Sequence, residues 1–423
     1  MTDTRGSAQA WPQPWAGYRV GEIGHRRIVV AMTAAGIATF IQLYSLQAVL
    51  PAIAGAFDAS AARVALTISA ATGGLAGFVL VWSALADRFG RVWVMTAALT
   101  VSTVLGLLAP LLPELGMLLV VRGVQGAALG GVPAVAMAYL AEEIHPAHLA
   151  RTAGVYIAGN TVGGMSGRLV AGAVSDALGW RWGVGADSAL AAVFLVVFVI
   201  TVPRARGFTL RRRAHGGPGL ARRLYRAVAD RALLALYFQG LFLMGAFVTV
   251  YNYLGFRIVG EPFNLSQTVV ALLFVTYLAG TVASTVAGHV AERRGRYPVL
   301  LAGVTGMALT TLSLLTPWLA VVAAGLLGFT FSFFTAHAVA ASWAGHRADA
   351  SARAQATAIY TLSYYVGSSL FGWLGGFCYD WFGWPGVVGF VVALCVAAAL
   401  AGSALRRARP VAAAADPGPT GYQ

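Results

Sequence analysis

Twelve apolar runs, most of them about 20 residues long, follow one another along this chain, and charge is confined to the stretches between them. The hydrocarbon core of a bilayer offers no water to a backbone N–H or C=O. A run of this length therefore folds there as a helix that satisfies its own polar groups. The runs lie at approximately 28–55, 64–85, 93–112, 116–141, 152–177, 183–202, 232–256, 266–290, 297–316, 318–345, 354–377 and 386–404. Only 10% of residues are charged, against roughly a quarter in a soluble domain. The expected fold is an all-α membrane protein with twelve transmembrane helices.

All 29 basic residues are arginine. Without lysine there is no Walker A loop to hold ATP phosphates and no Schiff-base chemistry. The net charge of +14 would point to nucleic acid in a soluble protein. Here the arginines lie between spans, so anionic lipid and topology account for them and no nucleic-acid partner is expected. One set of loops holds Arg26, Arg27, Arg88, Arg91, Arg151, the cluster from Arg204 to Arg231, Arg293, Arg294, Arg296, Arg347, Arg353, Arg406, Arg407 and Arg409; the opposite set holds only Arg63, Arg181 and Arg257. Positive charge marks the cytoplasmic side, so both termini are expected there, in an inner membrane. Residues 1–24 carry no cleavable signal pattern, and the first span reads as a start-transfer helix. Cys378 and Cys395 read as small buried hydrophobes.

An internal repeat organises the chain. Ser83-x3-Asp87-Arg88-x-Gly90-Arg91 recurs as Gly288-x3-Glu292-Arg293-x-Gly295-Arg296, 205 residues later. Gly172-x3-Asp176-x2-Gly179-Trp180 recurs as Gly376-x3-Asp380-x2-Gly383-Trp384 at an offset of 204. Two motifs at nearly one offset, in equivalent loops, mean a duplicated six-helix unit, and parallel halves with a site between them are a transporter architecture. The expected divisions are a cytoplasmic tail at 1–26, a six-helix bundle at 27–202, an Arg-rich linker at 203–230, a second bundle at 231–405 and a disordered tail at 406–423.

The loop at 83–91 resembles the cytoplasmic motif of the major facilitator superfamily, usually Gly-x3-Asp-Arg-x-Gly-Arg followed by a further basic residue; Ser83 replaces the first glycine and Val92 the last basic residue. Arg122-Gly123-x-Gln125-Gly126 in the fourth span is similar to the family's second motif. The fifth span, with Gly159, Gly163, Gly164 and Gly167, resembles its antiporter motif except that Asn160 stands in place of proline. Segments at 139–146, 160–172, 247–255 and 360–376 resemble the YnfM-type inner-membrane transporters, a drug-efflux-like branch. The resemblance implies two pseudo-symmetric bundles of 3+3 inverted repeats around a mid-membrane cavity. It also implies that Asp87, Arg88, Gly90 and Arg91 latch the halves on the cytoplasmic side, with Glu292, Arg293, Gly295 and Arg296 as a weaker counterpart. Glu142 and Glu143 are candidate gate partners at the end of the fourth span.

Two arginines sit inside spans. Arg122 lies about 9 Å below the outer surface, and an intramembrane charge is a functional hypothesis by default. Arg168 is the second. Glycines at every fourth position beside it give a face for close helix packing. Asp187 is the most deeply placed acid, so it is expected to neutralise Arg122 or Arg168, and a carboxylate held between arginines carries protons poorly at neutral pH. His337 is a residue type that titrates near neutrality, although a lone histidine is more often merely hydrogen-bonded. Candidate substrate contacts are Gln42, Tyr44 and Gln47 in the first span, Gln125 in the fourth, Gln239, Tyr251 and Asn252 in the seventh, and Tyr360 and Tyr364 in the eleventh. Tyr251 and Tyr253 alternatively belong to the aromatic belt at the membrane surface.

The function expected is proton-coupled efflux of a small amphipathic or neutral compound by rocker-switch transport. Its rivals are a sugar or metabolite exchanger and a membrane sensor without turnover. The implied partners are a small solute, protons and anionic lipid, acting on a monomer, with no cofactor, metal or enzymatic centre. Arg122→Ala is expected to abolish transport while leaving abundance largely intact.

Overall fold

The computed structural model describes residues 15–207, 220–349 and 352–406. Residues 1–14, the linker around Gly216-Gly217-Pro218 and the tail from Arg407 onward lie outside the described residues.

Each expected span is helical, and three of them are broken. The first runs as Ile23–Leu43, a 3-10 turn Gln47–Val49 and Leu50–Phe57. The second and third are Ala61–Phe89 and Arg91–Leu108. The fourth divides at Gly130 into Leu115–Leu129 and Gly131–Glu143. The fifth, Pro146–Leu178, is continuous through Asn160, as a helix lacking the family's proline should be. The sixth is Trp180–Thr201. A short helix, Leu220–Ala229, occupies the end of the expected linker and leads into the seventh span, Arg231–Val259. The eighth comprises Gln267–Leu272, a 3-10 segment Leu273–Tyr277 and Leu278–Arg294; the ninth and tenth are Arg296–Ser313 and Leu319–Arg347. Arg353–Arg406 holds the last two spans, divided at Gly383.

The duplicated motifs mark the sharpest turns. Gly90 and Gly295 have φ of 95° and 89°, and Gly179 and Gly383 have 91° and 62°. A side chain is strained in this region, so glycine lets one helix end and the next begin on a single residue.

The fifth span packs its glycine face on the first. A Cβ at Gly159, Gly163 or Gly167 would meet the backbone of Thr33, Ile37 or Ile41, so the two helices approach as closely as their main chains permit. The halves join through three helix pairs: second with eleventh, fifth with eighth, and first with seventh. Outside, large apolar side chains such as Leu80, Val120, Ile200 and Leu400 are exposed, as suits a surface solvated by lipid.

Candidate functional site

Arg122 is fully buried and tied to backbone. Its Nε donates to Thr67 O (3.3 Å), Nη1 to Gln42 O (2.9 Å) and Gln125 Oε1 (2.6 Å), and Nη2 to Leu43 O (2.6 Å). The first helix ends at Leu43, where its last carbonyls lack intrahelical donors, and the guanidinium supplies them. Gln125 donates to Gln42 Oε1 and Ser102 O, and Gln42 donates to Thr103. A Cβ on Gly106 would crowd Gln125, Ser188 and Gln42. Arg122, Gln125 and Gln42 thus form one polar knot inside the first half, each at most 1% exposed.

Arg168 lies between the halves. Nε donates to Gln47 Oε1 (2.7 Å), Nη1 to Gly164 O and Nη2 to the Tyr277 hydroxyl at 3.4 Å. Its guanidinium carbon sits 4.6 Å from the Tyr44 ring, 4.6 Å from Phe274 and 4.8 Å from Tyr277. Gln47 in turn donates to Asn252 Oδ1 at 2.7 Å, so Arg168, Gln47 and Asn252 make one relay across the interface.

Asp187 lies within electrostatic reach of both Arg168 and Arg122 but makes no direct bond to either. It forms no ion pair with Arg122 or Arg168: it is 0% exposed and neither carboxyl oxygen has a hydrogen-bond partner. The arginines have taken neutral acceptors instead. Gly183, one turn earlier, packs on the Ala171 carbonyl of the antiparallel fifth span, which places Asp187 near the level of Gly167 and Arg168.

The second half supplies aromatic rings. Phe247 stacks on Phe333 at 4.0 Å, and Tyr251 meets Tyr277 edge-on at 4.9 Å. His337 stacks on Phe333 and meets Tyr364 at a tilt, and the Tyr360 hydroxyl pairs with its Nδ1 at 2.9 Å. Tyr251 and Tyr253 are buried and hydrogen-bonded to Thr276, Thr330 and Gly372 O, which removes them from a surface belt. Gln239 donates to Ala398 O in the twelfth span, apart from the other candidates.

Two residues that entered the sequence reading only as repeat markers close one side of the interface. Asp380 accepts from the backbone N–H groups of Ala61 and Ala62 at 3.1 and 3.2 Å, capping the second span from the other half. Asp176 accepts from Gln267 and Thr268 at 2.8 and 2.7 Å, capping the eighth. Seven hydrogen bonds between the halves lie on this far side, away from the chain ends, or in the adjoining mid-membrane layer.

On the side of the chain ends, the ion pairs of Arg91 and Arg347 with acids each lie within one half. Arg91 bridges Asp87 (2.6 Å) and Glu142 (3.0 Å), and Arg347 pairs with Asp230. Glu143 accepts from the Arg206 and Gly207 backbone N–H groups, which anchors the start of the linker. Arg88 lies over the Phe89 ring, while Glu292, Arg293 and Arg296 make no hydrogen bond or ion pair among the described residues. A crevice of about 610 Å³ between the second and eleventh spans is lined by Leu66, Gly73, Gly77, Val366, Leu370 and Trp373.

A duplicated bundle of membrane helices with its buried polar groups gathered at and beside the seam is the architecture of a secondary transporter. The chain belongs to the Major Facilitator Superfamily, whose family model matches residues 32–260 and again 252–421. It is 38% identical to the inner membrane transport protein YnfM of Escherichia coli (strain K12), over 94% of this chain and 95% of that protein. It is 35% identical to the uncharacterized MFS-type transporter YybF of Bacillus subtilis (strain 168), over 90% and 93%. Among solved structures it resembles an inward-facing, unoccupied bacterial homologue of the lysosomal transporter Spinster (TM-score 0.76, 14% identity, 90% of this chain and 95% of that one). It also resembles the nucleoside transporter NupG (TM-score 0.71, 14% identity, 90% and 100%). It is a multi-pass membrane transporter.

Proposed function

We propose that the chain is a proton-linked secondary transporter that moves a small amphipathic solute by alternating access, with both termini cytoplasmic. The observation that carries this is the one-sided closure. Hydrogen bonds join the halves on the far side and in the middle, where Asp176 and Asp380 each cap a helix of the opposite half. The arginine bias assigns the side of the chain ends to the cytoplasm, so this conformation faces inward. The Asp87–Arg91–Glu142 cluster then waits as the latch of the opposite state.

An amphipathic solute fits better than a sugar. Gln47 and Asn252 spend their polar groups on each other and Gln239 bonds a backbone carbonyl, while the walls are tyrosine, phenylalanine and His337. The apolar crevice beside Val366 and Leu370 offers such a solute a lateral approach from lipid. Asp187 is the proton site we assign: a buried carboxyl group without a donor, near two arginines, takes up and returns a proton as the seam beside Arg168 opens and closes. Export is the direction the sequence resemblance implies.

The test is steady-state accumulation of labelled lipophilic cations, neutral sugars and aromatic acids in cells expressing the chain or its Asp187→Asn variant, with a protonophore added midway. Lowered accumulation of one compound, reversed by both the protonophore and the variant, supports proton-driven export. A variant that responds to the protonophore as the wild type does removes Asp187 from coupling.

A further inference from the structure

The transporter reading above leaves the polar end of the solute unspecified, and Arg168 bears on it. A guanidinium has five N–H donors. Three are used here, one of them on the distant Tyr277 hydroxyl, and no carboxylate lies within ion-pair distance among the described residues. The guanidinium carbon sits over the rings of Tyr44, Phe274 and Tyr277. The membrane-embedded knot and seam contain two guanidinium groups and one carboxyl group, Asp187, so positive charge is left over. Arg122 cannot serve a ligand, because four bonds, three of them to main-chain carbonyls, hold it inside the first half.

The ownership of the Arg168 surroundings is equally informative. Tyr44, Gln47 and Gly164 belong to the same half as Arg168. Phe274 and Tyr277 belong to the other half, on the 3-10 segment that interrupts the eighth span. When the halves separate on the far side, these two rings leave with the second half and the guanidinium keeps only Gln47, Gly164 and Tyr44. In the present state the weakest tie is the 3.4 Å bond to Tyr277, whose ring borders the aromatic wall of Phe247, Tyr251 and Phe334. A solute with its apolar body against that wall reaches Arg168 by displacing one hydroxyl.

We propose that Arg168, flanked by Gln47 and Tyr44, is the anion-recognition site of the transporter, and that its solute is an organic monocarboxylate with an apolar, preferably aromatic, body. A carboxylate accepts two parallel N–H bonds from a guanidinium, which a neutral amide or a cation cannot do. Phe274 and Tyr277 stand in for the anion when the site is empty, holding the charge by their ring faces.

Binding tests this separately from transport. The purified full chain in a neutral detergent is titrated calorimetrically with benzoate, phenylacetate and indole-3-acetate, and with the matching amides. The expected result is carboxylate binding about tenfold or more tighter than the amide of the same acid, the difference a charge-assisted bond makes. Arg168→Gln should weaken the carboxylate by a similar factor, and Arg168→Lys should restore part of it. Tyr277→Phe keeps the ring and removes the competing hydroxyl, so it should tighten carboxylate binding a few-fold. Should Arg168→Gln fail to fold, the amide comparison and Tyr277→Phe still decide. The proposal is overturned if no carboxylate outcompetes its amide, or if Arg168→Gln binds like wild type. Failure of Asp187→Asn to alter proton coupling leaves this titration untouched, so the two readings fall separately.

Discussion

If Asp176 and Asp380 hold the far side shut, replacing both with alanine should move the chain towards its far-side-open state. Each carboxylate caps two backbone N–H groups at a helix start, and each acts on the half to which it does not belong. Loss of an N-cap costs about 1 kcal/mol, within a range of roughly 0.5–2. The negative charge at the positive end of the helix dipole adds about 0.3–1 kcal/mol at an accessible site. In the open state water takes over both roles, so most of this difference is specific to closure. Two sites together contribute about 2–4 kcal/mol, which at about 1.4 kcal/mol per tenfold shifts the equilibrium by roughly 30- to 1000-fold. Spin labels at Arg63→Cys and Glu261→Cys, both exposed on the far side, report the opening once Cys378 and Cys395 have been replaced by serine. The double alanine variant should populate a longer distance. Asparagine at both positions keeps an acceptor oxygen and loses the charge, and should fall between. A distance distribution unchanged by the double alanine variant would show that closure rests elsewhere.

Other outcomes follow from the same contacts. Arg122→Ala should lower the melting temperature as well as stop transport, because it removes the guanidinium donor from the Leu43 carbonyl at the end of the first helix, at about 1–3 kcal/mol; thermal unfolding in detergent checks this, and unchanged stability would return Arg122 to a purely functional role. Gly126→Val should cost at least about 1–3 kcal/mol by the same assay, since a Cβ there meets the Ala71 backbone carbonyl, which cannot swing aside. Asp87→Asn should barely change stability, because Asp87 is 64% exposed and its bridge to Arg91 is worth no more than about 1 kcal/mol; a large loss would mean the bridge matters in this state too.

Most of the architecture was legible because lipid imposes a simple rule on sequence: long apolar runs, short charged loops, and glycine where a turn takes one residue. The glycine face of the fifth span was readable for the same reason, since period four maps directly onto one side of a helix. Other features left no such trace. The 3-10 segment at Leu273–Tyr277 is as apolar as the helix on either side, so nothing in composition announces the break that brings Tyr277 to Arg168. Asp187 was placed at the right level and beside the right arginines, but the direct bond expected between them is absent. Depth along a helix follows from counting residues, whereas facing depends on which acceptors reach the arginines first. For Arg122 those acceptors are carbonyls at the end of the first helix, which no side-chain pattern encodes.

The two kinds of repeated position also differ in what duplication requires of them. Asp176 and Asp380 lie 91 and 319 residues from the amides they cap, and each cap joins one half to the other. Closing a two-fold seam needs the same contact twice, so the Gly-x3-Asp-x2-Gly-Trp motif is kept in both halves. The solute path has no such need, because one molecule occupies it at a time. Along the path proposed above the halves have diverged: the first contributes Arg168 and Asp187, the second contributes Phe247, Tyr277, Phe333, His337 and Tyr364. A charged face opposed to an aromatic one is suited to a solute that is itself two-ended. The duplicated caps therefore separate gate from site: Asp176 and Asp380 hold the halves together, and residues present in one half alone are the ones to test for contact with solute.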